Sequence, residues 1–137
     1  MAAQFEGSIK SIREMLGTVE TGPRLYHDLA PGLWTSGSGS LVSEAYTILK
    51  AENIFSDILG SIQVSPEQIV ARDPQVIISV HPDGPALIRA DLAFRHLSAV
   101  KDNRLFFVDG SLLSITGPRL VHGVELVAKF LYPEIFP

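Results

Sequence analysis

The stretch Ser65-Pro66-Glu67-Gln68-Ile69-Val70-Ala71-Arg72-Asp73-Pro74-Gln75-Val76-Ile77-Ile78-Ser79-Val80 sets a capped helix directly before a buried strand. Ser65 is a good N-cap, Pro66 is preorganised for the first helical position, and Gln68 completes a capping box. Ile69 and Val70 are expected to bury this short helix, and Arg72-Asp73-Pro74 to stop it. Gln75 to Val80 then reads as a near-continuous apolar run, the pattern of a strand covered on both faces. Leu105 to Val108 repeats that pattern and is closed by Asp109-Gly110. On the other side, Arg24 to Leu29 alternates, with Leu25, His27 and Leu29 against Tyr26 and Asp28, as a strand does.

Helical stripes separate these strands. Phe5, Ile9, Ile12, Leu16 and Val19 recur at helical spacing, and so do Leu41, Ala45, Ile48 and Leu49. A modest helix is expected over Ala86 to Phe94 after the His81 to Pro85 turn. Leu120, Val124, Val127 and Leu131 stripe the last helix, entered through Thr116-Gly117-Pro118-Arg119 and ended by Pro133. Glu52-Asn53-Ile54-Phe55 reads as an irregular turn whose Ile and Phe tuck into the core. Strands alternating with helices imply a three-layer α/β/α domain with a mainly parallel sheet. Residues 1–20 form a leading helix and residues 21–137 the domain itself.

Composition narrows the function classes. A chain of 137 residues with 46% hydrophobic and 19% charged content fits one globular domain and excludes a disordered one. A net charge of −4, with no Lys/Arg cluster, offers no footprint for nucleic acid. Without cysteine there is no disulfide, thiolate metal site or thiol chemistry. No apolar run approaches the roughly 20 residues of a membrane span, and Met1 to Gln4 does not open a signal peptide.

The candidate site is Trp34-Thr35-Ser36-Gly37-Ser38-Gly39-Ser40. A bulky aromatic followed by small hydroxyl and glycine residues suits a loop whose main-chain amides stay open. Ser40 or Ser38 can cap the helix that opens at Leu41, and a Trp beside free amides makes a ligand mouth. The alternative reading is a loop with a buried anchor Trp and nothing bound. Ligands of open α/β sheets gather outside the carboxyl ends of the strands. The Trp34 segment, the His81 to Pro85 turn and the Asp109 to Arg119 segment all follow strands, so all three are expected on one edge.

Motifs for catalysis are missing. Gly37-Ser38-Gly39 lacks the third glycine of a dinucleotide fingerprint, no Walker lysine follows a glycine loop, and no Ser sits in a nucleophile elbow. His27, His81, His96 and His122 are scattered. His122 and Glu125 share a helix face, but a metal site needs three or four ligands and a solvated face is the simpler reading. Asp109 could act as a base or orient Arg119, although an Asp before Gly commonly just forms a turn. No catalytic residue, resident metal or cofactor is expected.

Several segments, taken in order, carry a resemblance: Trp34-Thr35-Ser36-Gly37, Ala51-Glu52-Asn53-Ile54-Phe55, Gln63-Val64-Ser65-Pro66-Glu67, Ala71-Arg72-Asp73-Pro74-Gln75-Val76-Ile77-Ile78, Leu97-Ser98-Ala99-Val100-Lys101, Gly117-Pro118-Arg119 and Tyr132-Pro133-Glu134. Together the chain resembles the C-terminal lobe of substrate-binding proteins of ABC importers for cobalamin and for ferric siderophores or haem, the class whose two lobes are joined by one long helix. The resemblance implies that residues 1–20 are the tail of that helix, with an N-terminal lobe and an export signal belonging before them. It implies an extracytoplasmic protein, in the periplasm or on the outer face of the cytoplasmic membrane.

It also implies roles. Trp34, Thr35, Ser36, Gly37, Ser38 and Ser40 would line the ligand cleft, and Glu67 would salt-bridge with arginines of the permease. Read from the residues alone, Glu67 is an acid in a first helical turn that favours the helix dipole. Where related sequences usually carry an Arg-Pro pair before Gly117, this chain has Ile115-Thr116, so that arginine's contact is lost. Arg119 remains as the nearby cationic candidate, or as a tether for the loop. The cargo would be a corrinoid or a ferric chelate, held without covalent chemistry. Two other classes stay open: a self-associating α/β module, and a small nucleotide- or phosphate-binding enzyme built on the Ser/Gly segment.

Overall fold

The computed structural model describes residues 2–39, 41–110 and 118–136, with side chains described for all of these except 2–8, 41, 118 and 119. Helix α1 (Ala2–Met15) leads into strand β1 (Arg24–Asp28), strand β2 (Trp34–Ser36) and helix α2 (Leu41–Ile48). Strands β3 (Glu52–Asn53) and β4 (Ser61–Gln63), helix α3 (Pro66–Arg72), strand β5 (Val76–Ser79) and helix α4 (Gly84–Ala90) follow. A 3-10 turn at Leu92–Phe94, helix α5 (Ser98–Lys101), strand β6 (Leu105–Phe107) and helix α6 (Pro118–Leu131) complete the order.

Four strands form one parallel sheet in the order β3-β1-β5-β6, so the three-layer α/β/α architecture is as expected. Alternation along the strands sorts their side chains between two cores. Leu25, Val76, Ile78 and Val108 join Ile12 and Leu16 near α1, Ala45 and Tyr46 of α2, and Val124 and Val127 of α6. Tyr26, Ile77 and Leu105 face the other way, onto Ile69 of α3, Ile88 of α4 and Phe94. The apolar run of β5 is thus explained: all four of its residues are buried because helices cover both faces.

The α3 entry is built as its residues dictate. The Ser65 hydroxyl accepts from the Gln68 amide, and the Gln68 side chain accepts from the Ser65 amide. Only Ile69 turns inward, however, while Val70 is 45% exposed. Adjacent helix positions lie about 100° apart, so a short helix seats one of the pair on the sheet and leaves the other outside. Glu52–Asn53 is a second correction, being an edge strand in register with Arg24 and Leu25, although Ile54 and Phe55 do tuck into the core. The helix expected through Phe94 breaks at Asp91, which turns extended and caps the 3-10 turn by accepting from the Ala93 amide.

His27 is fully buried on the α2 side of β1, with Nδ1 2.6 Å from the Tyr46 hydroxyl. Burial lowers its pKa from 6.5 to about 4. Between those values the unfolded chain takes up a proton that the folded chain refuses, so stability falls as pH drops from 6.5 towards 4. The loss from this one group totals about 3 kcal/mol at 1.36 kcal/mol per pKa unit. Urea midpoints at pH 7, 6 and 5 are expected to fall steadily, and less steeply in His27→Gln; equal slopes would contradict this account.

Candidate functional site

The parallel sheet sends the carboxyl ends of β1, β5 and β6 to one edge, and the site is built there from the strand ends upward. Asp28 and Ser79 are register partners at the last rung of β1 and β5. Both are buried, and the Ser79 hydroxyl donates to Asp28 Oδ2 at 2.7 Å. His81, just past β5, places Nε2 2.9 Å from the same oxygen. Its Nδ1 is buried with no partner among the described residues, so the ring is turned inward. The first residue of α4 lies against this group, and a Cβ on Gly84 would fall 2.5 Å from Asp28 Oδ2. Glycine is required there by close approach.

The Trp34 segment differs from the expected open loop. Residues Trp34–Ser36 form β2, paired antiparallel with β4 in a separate two-stranded sheet. The Leu29 amide donates to the Trp34 carbonyl at 2.9 Å, which ties β2 to the end of β1. The amides of Gly37 and Ser38, expected to be open, donate to the carbonyls of Gly60 and Ile58, both at 2.8 Å. Thr35 and Ser36 are buried, and the Ser36 carbonyl accepts from the Asn53 side chain at 2.8 Å. Gly37 is also buried, and a Cβ there would overlap the Ile58 carbonyl. Hydroxyl and glycine residues serve here as material for a small two-stranded sheet, since small side chains let β2, β4 and the Phe55–Ile58 turn pack closely.

Trp34 itself does reach the surface, at 41% exposure. Its approach is set by Gly32 and Leu33, both with left-handed φ (94° and 66°), and by the Val64 amide donating to the Leu33 carbonyl at 2.9 Å. Gln63, opposite Trp34 in the two-stranded sheet, donates to the Gly32 carbonyl and closes the turn. Ser38 is half-buried and donates to the Ile58 carbonyl. It lines a groove of about 600 Å3 between α2 and β3, alongside Glu20, Ser43, Lys50 and Glu52, and Trp34 is not part of that lining.

No family model matches the chain. Over 99% of its length it is 30% identical to YvrC of Bacillus subtilis (strain 168), an uncharacterized ABC transporter substrate-binding lipoprotein, of which it covers 45%. Among solved structures it resembles the molybdate periplasmic binding protein MolA of Haemophilus influenzae, with 28% identity and a TM-score of 0.86, across 96% of this chain and 43% of that one. It also resembles the periplasmic vitamin B12 binding protein BtuF of Vibrio cholerae, with 25% identity and a TM-score of 0.81, across 96% of this chain and 52% of that one.

Along nearly its whole length the chain is similar to one part of ABC-transporter substrate-binding proteins. It spans about half the length of the relatives it matches, and these relatives are binding proteins rather than enzymes.

Within the domain the remaining candidates fall apart from one another. Glu67 is exposed in the first turn of α3 and makes no hydrogen bond or ion pair among the described residues. Arg119 lies in the first turn of α6 and its side chain is outside the described residues, as is the whole of Ser40. His122 and Glu125 are both exposed on α6, and no group of three or more potential metal ligands exists among the described residues. Nothing in the sequence marks Asp28, Ser79 or Gly84 as site residues, and His81 reads only as part of a turn. The one local hint is that β1 and β5 each end on a polar residue.

Proposed function

We propose that this chain is the C-terminal lobe of an extracytoplasmic substrate-binding protein that captures a bulky metal chelate and delivers it to an ABC permease. A corrinoid is the preferred cargo, with a ferric siderophore or haem next. The observation that carries the reading is the half-exposed indole of Trp34 beside the carboxyl ends of the strands, where open α/β sheets take their ligands. Relatives differ in what they carry, molybdate in one case and vitamin B12 in another. A small oxyanion needs convergent donors, whereas the Gly37 and Ser38 amides are already used on the Gly60 and Ile58 carbonyls. An aromatic face without charge suits a large amphipathic ligand.

Capture between this lobe and a second one, followed by docking on the permease through Glu67, completes the mechanism without a covalent step. Self-association is the second reading, favoured by the exposure of Ile62 in β4, the strand paired with that of Trp34, and of Leu59 just before it; a monomer at high concentration in light scattering would remove it.

Trp34 is the sole tryptophan, so its fluorescence reports on the site directly. Titration with cyanocobalamin, haemin and a ferric siderophore in turn is expected to give saturable quenching with one of them and none with molybdate. Calorimetry on Trp34→Ala separates contact from light absorption by the ligand, with an expected loss of about tenfold, roughly 1.4 kcal/mol. Saturation by molybdate alone, or no binding of any chelate, would overturn the cargo assignment. Glu67→Lys is expected to leave chelate affinity unchanged and to abolish uptake by cells that depend on the transporter. Equal loss of affinity and uptake would show that Glu67 acts on the cargo rather than on the permease.

A further inference from the structure

We infer that Asp28 is a positioning residue for the cargo face, coupling the Trp34 strand to the His81–Gly84 turn through one peptide plane. The inference rests on the reading of that face as a cargo site. The peptide between Asp28 and Leu29 is held from both sides: its carbonyl accepts from the Val80 amide at 3.0 Å, and its N–H donates to the Trp34 carbonyl at 2.9 Å. One side belongs to the end of β5 and the other to β2, so any rotation of this plane moves both walls together.

The Asp28 side chain locks the plane. Its Oδ2 accepts from Ser79 at 2.7 Å and meets His81 Nε2 at 2.9 Å, and Gly84 packs against it without room for a methyl group. Elsewhere on this face of the sheet the buried positions are apolar, namely Tyr26, Ile77 and Leu105. A carboxylate that is only 3% exposed carries a desolvation cost that an apolar residue would avoid. Apolar contact is non-directional, whereas two hydrogen bonds to one oxygen fix the strand end, the turn and the helix start in one arrangement. The polar cluster occurs at the rung where the chain leaves the sheet towards the face that bears Trp34. His81 turns its ring inward, so it serves the cluster rather than the cargo.

Amide hydrogen exchange on Asp28→Asn tests the coupling without any cargo. Exchange at Leu29 and Gly84 is expected to accelerate together by about tenfold or more, with Ile77, whose amide donates to Arg104, left at its wild-type rate. Uniform acceleration of all three, the signature of a merely structural role, or no change at Leu29, would overturn the inference. Ser79→Ala keeps the carboxylate and removes one donor, so it should give the same pattern more weakly should Asp28→Asn fail to fold. Chelate titration at a temperature where the variant is fully folded adds a second readout, with affinity expected to fall about tenfold. A wild type that binds while Asp28→Asn binds equally well contradicts the positioning role. A wild type that binds no chelate contradicts the cargo reading instead, and the exchange pattern then decides the coupling by itself.

Discussion

Backbone groups buried inside a sheet need partners on both sides of every strand, and here that requirement decides where Trp34 stands. β1 lies between β3 and β5, and its ladder to β5 runs through Asp28. Beyond the end of β3 the Leu29 amide would have no strand to meet, and it is the Trp34 carbonyl that accepts from it. The indole is therefore presented by a strand stitched to the sheet rather than by a free loop. Such a mounting favours a preformed contact surface, because little ordering is left to be done on binding.

Similarity to part of the substrate-binding proteins gives this architecture its context, and the proposed site gives it a preference. Two observations support the proposed cargo: an exposed aromatic and main-chain amides already committed. On that reading this surface would meet the organic periphery of a cargo. The polar groups at the edge are spent internally, Asp28 on Ser79 and His81, and Asn53 on Ser36 and Phe55. Polar chemistry here shapes the wall, and in the proposed function apolar chemistry would meet the ligand.

What could be read from sequence follows the range of the interactions involved. The Ser65 cap, the Pro74 stop and the two-faced burial of Val76–Ser79 are local, and the residues spell them out. Val70 was misplaced because helical periodicity over seven residues does not say which of two adjacent apolar side chains faces the sheet. Strands β2 and β4 were hidden because Thr35, Ser36, Gly37 and Ser61 have turn-like composition and pair across some two dozen residues of chain. Glu52–Asn53 is too short to show alternation. The Asp28 cluster joins residues 51 and 53 positions apart, and nothing in the neighbourhood of either end announces the other. Trp34 was legible as a surface aromatic, while the burial of the residues after it depended on contacts made only in the folded chain.

The most direct measurement is a chemical-shift map of the labelled protein at saturation with whichever chelate binds. The account predicts that the largest changes fall on the Trp34 indole N–H and on amides at the carboxyl ends of β1, β5 and β6. Changes confined to the opposite end of the sheet, around Arg24 and Val76, or to the groove between α2 and β3, would contradict it.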